Sequence, residues 1–230
     1  MLGNVIIAWV VSYFLGAIPF GLLVVWVFSG KDVRKVESGR TGGTNAMRAA
    51  GVIAGLLTAL MDVLKGVATR WVVAWLAPGI GPWVAVIAAL LAILGHNYSI
   101  FLLEKHSSGK LILKGGAGGA TAFGGAIALW PSNAYIIFPI AAMVFLFVGY
   151  ASLTTISISV ATTIIFIIRA ANGAGPWEYI AYGIISLIIV LYALRPNIKR
   201  LREGSERLTG LRGYWTRKKL NKNPSPAGKG

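Results

Sequence analysis

Residues 1–30, MLGNVIIAWVVSYFLGAIPFGLLVVWVFSG, carry no charged side chain. The run exceeds the ~20 residues that an α-helix needs to cross a bilayer. It is also longer than the about 7–15 apolar residues of a signal-peptide core, and no basic residues precede it, so it reads as a retained first membrane helix. The pattern recurs downstream: residues 71–103 and 115–168 contain no Asp, Glu, Lys or Arg. Of the 230 residues, 56% are hydrophobic and only 13% charged, about half the charged share of an ordinary soluble domain. The fold class that follows is an all-α polytopic membrane protein.

Proline- and glycine-rich breaks divide the chain into about seven transmembrane helices, at 5–28, 45–76, 83–102, 118–130, 134–149, 153–169 and 178–194. A break in the long second helix is expected near Gly66. Alternating sides along these spans puts segments 29–48, 103–117, 149–152 and 195–230 on one face. Every Lys and Arg except Lys65, Arg70 and Arg169 falls there, and the opposite loops at 77–82, 131–133 and 170–177 hold none. The excess of basic residues marks that face as cytoplasmic, with the N-terminus outside and the C-terminus inside. The net charge of +15 then suits anionic membrane lipids rather than nucleic acid. Cysteine is absent, which excludes disulfides, thiol catalysis and cysteine-held metals.

The stretch Ser38-Gly-Arg-Thr-Gly-Gly-Thr-Asn45, followed by Arg48, lies just past the first span. Its glycines and hydroxyls can wrap an anion with backbone N–H groups, and two arginines lie within reach. Asn45 is placed to cap the helix that follows. A second glycine-rich run, Lys114-Gly-Gly-Ala-Gly-Gly-Ala-Thr121, opens another apolar segment. Taken alone it fits close helix packing as well as phosphate binding. Thr41-Gly-Gly-Thr-Asn-Ala46 and Ala117-Gly-Gly-Ala-Thr-Ala122 look alike, which hints at two loops that face each other.

Four further motifs hold polar groups at membrane depth or at its border. Asp62-Val-Leu-Lys65 puts an acid and a base on one helix face, either as an ion pair or as part of a site. His96, in Gly95-His96-Asn97-Tyr98, is either a structural hydrogen bonder or a group that orients a hydroxyl or phosphate or moves a proton. In Gly149-Tyr-Ala-Ser-Leu-Thr-Thr-Ile156, back-bonding to helix carbonyls competes with Ser152 as an anion ligand. Asn197 and Arg195 open the basic run that follows the last span.

Together, Ser38–Arg48, Asp62–Gly66, Gly95–Phe101, Lys114–Gly124, Gly149–Ile156 and Asn197–Glu206 resemble, in order, the bacterial PlsY-type acyl-phosphate:glycerol-3-phosphate acyltransferases. The resemblance implies a seven-helix bacterial inner-membrane enzyme whose active site faces the cytoplasm. It implies transfer of a fatty acyl group from acyl phosphate to the 1-hydroxyl of glycerol 3-phosphate, giving lysophosphatidic acid and phosphate, with no metal or other cofactor. Carried over by position, Ser38, Arg48 and Asn197 would hold the acceptor. Gly43, Thr44, Gly115, Gly116 and Ser152 would surround the acyl phosphate. His96 and Ser38 would take the catalytic places.

The chain departs from the family in three places. Ala117 stands where the second loop usually has a lysine, Pro196 stands where a histidine follows the last-helix arginine, and about nine residues near 104–112 are extra. Residues 1–207 are expected to form the membrane acyltransferase domain, and 208–230 a disordered basic cytoplasmic tail. A membrane carrier, or a non-catalytic binder of phosphorylated small molecules or acyl phosphate, would use similar loops.

Overall fold

The computed structural model describes residues 1–105 and 109–222. The first apolar run forms α1 (Leu2–Ala17) and α2 (Phe20–Ser29), which interrupt at Ile18-Pro19 because Pro19 has no N–H to continue the ladder. Then follow α3 (Gly43–Ala50), α4 (Val52–Leu76) and α5 (Pro82–Asn97). Strands β1 (Leu103–Lys105) and β2 (Leu111–Leu113) pair antiparallel, with Glu104 opposite Ile112. The helical run resumes with α6 (Gly119–Leu129), α7 (Asn133–Met143, extended by a π turn over Val144–Val148), α8 (Ala151–Ala171), α9 (Glu178–Ala193), α10 (Arg195–Arg202) and α11 (Gly210–Lys222).

Four helical stretches are long and apolar enough to cross a membrane: Leu2–Ser29, Val52–Leu76, Pro82–Leu102 and Ala151–Ala171. The pair α9 and α10, bent by 66°, makes a fifth if taken together, and α6 and α7 fall short of that length. About seven transmembrane helices were expected; every expected stretch is largely helical, the first two each as a pair of helices, but only four to five candidate spans are long enough. α6 is held to 11 residues by left-handed Gly118 at its start and by Trp130, extended, with Pro131 after it, at its end.

Large apolar side chains lie outside and small polar ones inside. Ile6, Trp26, Leu56, Trp75, Phe138 and Ile188 are exposed, whereas Ser12, Thr58, Thr69, Thr121, Ser159, Thr162 and Ser186 are buried. That distribution suits lipid, where close approach of small residues and internal hydrogen bonds hold helices together. On α4 and α6 the approach is so close that a Cβ on Gly66 would sit 2.4 Å from the Thr121 carbonyl oxygen, and one on Gly124 would sit 2.1 Å from that of Val63. Farther along, Phe166, Tyr182, Ile93 and Ile137 form the main core, and the Tyr182 hydroxyl donates to the Ala122 carbonyl at 2.7 Å.

Three local expectations change. The long second helix breaks at Gly51, which adopts φ +90°, and not at Gly66, which lies inside α4. Asn45 does not cap α3. The cap position is Gly42, and the Asn45 amide instead donates back to the carbonyls of Val33, Val36 and Arg40 at 3.1, 3.0 and 2.8 Å. The region after residue 208 is not structureless up to Lys222. Thr209 N–H donates to Gly149 O at 2.8 Å and Arg212 to Val148 O at 3.0 Å. These bonds dock α11 against the end of α7, where the π turn leaves carbonyls to be met. Residues 223–230 lie outside the described part.

Candidate active site

The two glycine-rich loops adjoin. Thr41 N–H donates to Gly115 O at 3.3 Å. The second loop is also sewn to the end of α5: Gly116 N–H bonds His96 O at 2.9 Å, Ser99 N–H bonds Lys114 O at 3.0 Å, and the Ser99 hydroxyl bonds Ala17 O at 2.6 Å. Each loop runs into a helix start, Gly42 before α3 and Gly118 before α6. Neither start has a side-chain cap hydrogen bond, so first-turn N–H groups remain to meet an anion.

His96 is the hinge of this arrangement. Its ring is buried, with Nδ1 2.9 Å from Lys65 Nζ and 3.4 Å from Asp62 Oδ1. The Lys65 ammonium lies 2.9 Å from Asp62 Oδ1 as an ion pair, 2.9 Å from His96 Nδ1, and donates to the Ile18 carbonyl, at the α1–α2 break, at 3.1 Å. An ammonium cannot accept, so Nδ1 accepts and the ring proton sits on Nε2. On that side there is no room for a side chain, since a Cβ on Gly116 would lie 1.9 Å from Nε2. Gly116 is therefore required by the approach of His96, and Nε2 presents an N–H to the second loop. The sequence signalled an Asp62–Lys65 pair but not its third member.

The other expected residues fall around this centre. Gly115 packs flat on the carbonyls of His96 and Asn97, and Gly43 packs on Gly55 O and Ala59. Both are thus explained by close approach, whatever else they do. Thr44 and Arg48 are half-buried, and their four-residue spacing puts them on one face of α3. Ser152 lies in the first turn of α8, buried, its hydroxyl without a hydrogen-bond partner among the described residues, although the neighbouring Thr154 does back-bond to Tyr150 O. The start of α8 reaches the second loop through Thr155, whose Oγ1 lies 2.6 Å from where a Cβ on Gly119 would stand. Ser38 is exposed, and its hydroxyl faces the Arg40 N–H at 3.5 Å. Asn197, on α10, donates to Glu206 Oε1 at 2.8 Å, and Glu206 Oε2 takes Arg200 Nε at 3.0 Å.

Two residues noted in the sequence only as parts of their motifs, without a role of their own in the reaction, join this set. Asn97 is buried beside Gly118 with neither side-chain polar atom bonded among the described residues. Arg40 crosses from the first loop to the end of α9, where Nη2 donates to Ala193 O. The first loop, the end of α5, the second loop and α8 are thus linked through their polar edges, and Arg40 joins the first loop to the α9–α10 corner. Such a surface offers N–H donors, a guanidinium and unpaired hydroxyls to phosphate-bearing ligands, but no strong nucleophile.

Residues 6–204 match the family model described as glycerol-3-phosphate acyltransferase. A glycerol-3-phosphate acyltransferase of Thermus thermophilus is 38% identical over 201 residues, covering 87% of this chain and 93% of that protein. Glycerol-3-phosphate acyltransferase 2 of Moorella thermoacetica is 37% identical over 207 residues, covering 90% and 98%. Among solved structures, PlsY (YgiH), an integral membrane glycerol 3-phosphate acyltransferase, superposes in its glycerol 3-phosphate form with a TM-score of 0.76 at 31% identity, over 92% of this chain and 98% of that one. Its lysophosphatidic acid form superposes with a TM-score of 0.73 at 30% identity over the same shares. On sequence and fold alike, the chain belongs to the glycerol-3-phosphate acyltransferase family.

Proposed function

We propose that this acyltransferase moves a fatty acyl group from acyl phosphate to the 1-hydroxyl of glycerol 3-phosphate, at the cytoplasmic face of a bacterial inner membrane. Residues 1–207 are its catalytic domain, with the N-terminus outside and the C-terminus inside. The observation that carries this reading is the Thr41–Gly115 junction with His96 against Gly116. Two adjoining glycine-rich loops with a ring N–H beside them support a reaction that brings two phosphates together. The glycerol 3-phosphate and lysophosphatidic acid forms of PlsY support acceptor and product of this chemistry.

In the reaction, the acceptor oxygen attacks the acyl carbonyl, the carbonyl-to-phosphate C–O bond breaks, and phosphate leaves. The acceptor proton passes to a phosphate oxygen, so no side-chain base is needed. Ser38, Arg48 and Asn197 hold the acceptor. Gly43, Thr44, Gly115, Gly116 and Ser152 line the acyl-phosphate headgroup. The His96 Nε2–H donates to charge that grows on the departing phosphate. The activated anhydride leaves proximity as the main demand, for which ~7–11 kcal/mol is available from orientation alone.

The test is release of inorganic phosphate from acyl phosphate by the protein in lipid vesicles, with and without glycerol 3-phosphate. Acceptor-dependent release, with lysophosphatidic acid formed in equal amount, is expected. Uptake into sealed vesicles without release would make the chain a carrier. Binding with neither would make it a non-catalytic binder.

A further inference from the structure

Arg40 has the environment of a ligand-binding cation that the reaction scheme above does not use. Its backbone is held on three sides: its N–H faces Ser38 Oγ at 3.5 Å, its carbonyl takes Asn45 Nδ2 at 2.8 Å, and the next N–H is on Gly115 O. The half-buried side chain reaches the carbonyl of Ala193, where the C-terminal end of α9 favours a cation. Tyr98, Arg200, Glu206 and His96 are the titratable groups within electrostatic reach of it.

What Arg40 lacks is a counter-charge. Glu206, the carboxylate beside it, spends one oxygen on Asn197 and the other on Arg200. Among the described residues Arg40 forms no ion pair, and burial pushes its guanidinium below the usual value, with Arg200 adding to the effect. A desolvated guanidinium without a carboxylate has a strong driving force to take up an anion, which it can grip with two parallel N–H bonds. The lysine of the second loop does not supply this charge, because Lys114 lies 2.6 Å from Glu104 in an ion pair. At position 117 the loop has only alanine.

We propose that Arg40 binds the phosphate of the acceptor, glycerol 3-phosphate, between Ser38 of the first loop and Asn197 of α10. This rests on the functional reading above, which gives Ser38 and Asn197 to the acceptor. Arg40 N–H faces the Ser38 hydroxyl, and its guanidinium, at the carbonyl of Ala193 where α9 ends, lies within electrostatic reach of Glu206, the carboxylate that holds Asn197.

Arg40→Gln, reconstituted in vesicles, is expected to raise KM for glycerol 3-phosphate by about 10- to 100-fold, the cost of a lost charge-assisted contact, with KM for acyl phosphate unchanged. Arg40→Lys keeps the charge without the fork and is expected between the two. Ala117→Lys placed in the Arg40→Gln protein recovers part of the acceptor affinity if the loops share one phosphate. The opposing explanation is that Arg40 merely ties α9 to the first loop. It predicts lower thermal stability and kcat, with KM for the acceptor unmoved, and that result overturns the proposal. So does an equal rise in both KM values.

A thermal-shift titration with inorganic phosphate and with glycerol 3-phosphate reads binding without turnover. The wild-type shift should vanish in Arg40→Gln. If the wild-type protein releases no phosphate yet shows a shift that Arg40→Gln abolishes, the reaction is wrong and the Arg40 site stands. A shift that persists in Arg40→Gln removes Arg40 from the site. If Arg40→Gln does not assemble, the same titration on Arg40→Lys decides, since an undiminished shift there rejects the bidentate grip.

Discussion

Two clusters of ion pairs, one of them including the His96 ring, tie segments of this molecule together, and their bond lengths do not tell them apart. In the buried one, Asp62, Lys65 and His96 lie 2.9–3.4 Å from each other. In the peripheral one, Arg34 bridges Asp32 at 2.7 Å and Glu104 at 2.8 Å, and Glu104 meets Lys114 at 2.6 Å. Exposure separates them: side chains in the first are 1–4% exposed and those in the second 25–42%. Water screens the second and stands ready to replace any partner. No such replacement exists for the first, where loss of one member strands the rest. Distance alone is therefore a poor guide to which charges matter. The buried cluster sets the orientation of a ring at the site, whereas the surface cluster fastens an inserted hairpin to the loop at Asp32–Arg34.

The largest effect should come from Lys65→Met. It leaves Asp62 charged and unpaired among helices, strips Nδ1 of His96 of its donor and frees the Ile18 carbonyl. A loss of about 3–5 kcal/mol is expected, read as a fall in the thermal midpoint in detergent and in the yield of folded protein. Pairing it with Asp62→Asn should recover much of that loss, because the stranded charge goes with it. A single variant as stable as the parent would mean that the cluster is hydrated, and the contrast with the surface would fail.

Next in size is the pair His96→Ala and His96→Gln. If Nε2–H acts as a donor, the glutamine amide nitrogen can stand near its place, so His96→Gln should retain several-fold to tenfold more kcat than His96→Ala. The alanine variant should lose roughly 10- to 1000-fold, as when one donor to developing charge is removed. Equal inactivity of both variants would instead assign the ring a proton-transfer role. Gly116→Ala tests the same contact from the other side. Its Cβ overlaps the ring, so either the loop or His96 must move, and a shift of about 1 Å is worth ~100-fold in rate. Normal rates in that variant would show that the ring and loop need not touch.

These contacts mark where the sequence stopped being informative. The apolar helical stretches and the two glycine-rich loops were legible because charge and glycine are local signals: residues 1–30 have no charge, and a loop such as Gly42-Gly43 announces itself. Partners far along the chain were not. Asp62 and Lys65 are three apart and read as a pair, whereas His96 is 31 positions beyond Lys65 and joins them only through the packing of α4 on α5. Gly51 and Gly66 are the same residue in similar surroundings. One breaks a helix at φ +90° with nothing near its open side, and the other lets α6 approach. Asn45 looked like a cap because its type favours that place, but an amide with three carbonyls within reach satisfies itself better by folding the loop back. The segment after residue 208 looked structureless because it is polar. What orders it through Lys222 is the set of carbonyls exposed by the π turn of α7, which no composition reveals.

The smallest effect is expected at the surface, and it carries a pH signature. Glu104→Gln removes one member of the peripheral cluster and should cost less than about 1 kcal/mol, with catalysis within about twofold of the parent. Lys114 holds the Glu104 carboxyl below its ordinary 4.5, and Arg34 holds that of Asp32 below its ordinary 3.8. A lowered carboxylate contributes in the folded state above its unfolded value and loses that contribution as pH falls through the folded one. Protection of the hairpin amides from hydrogen exchange should therefore be flat from neutral pH down to about 4.5 and weaken below it. Glu104→Gln should flatten the part of that decline that belongs to Glu104 and leave the part that belongs to Asp32. High salt should mimic the variant, because these charges are screened. A loss of several kcal/mol, or a change in KM for either substrate, would mean that the hairpin positions Gly115 and Gly116 through Lys114, and the surface cluster would then belong with the buried one.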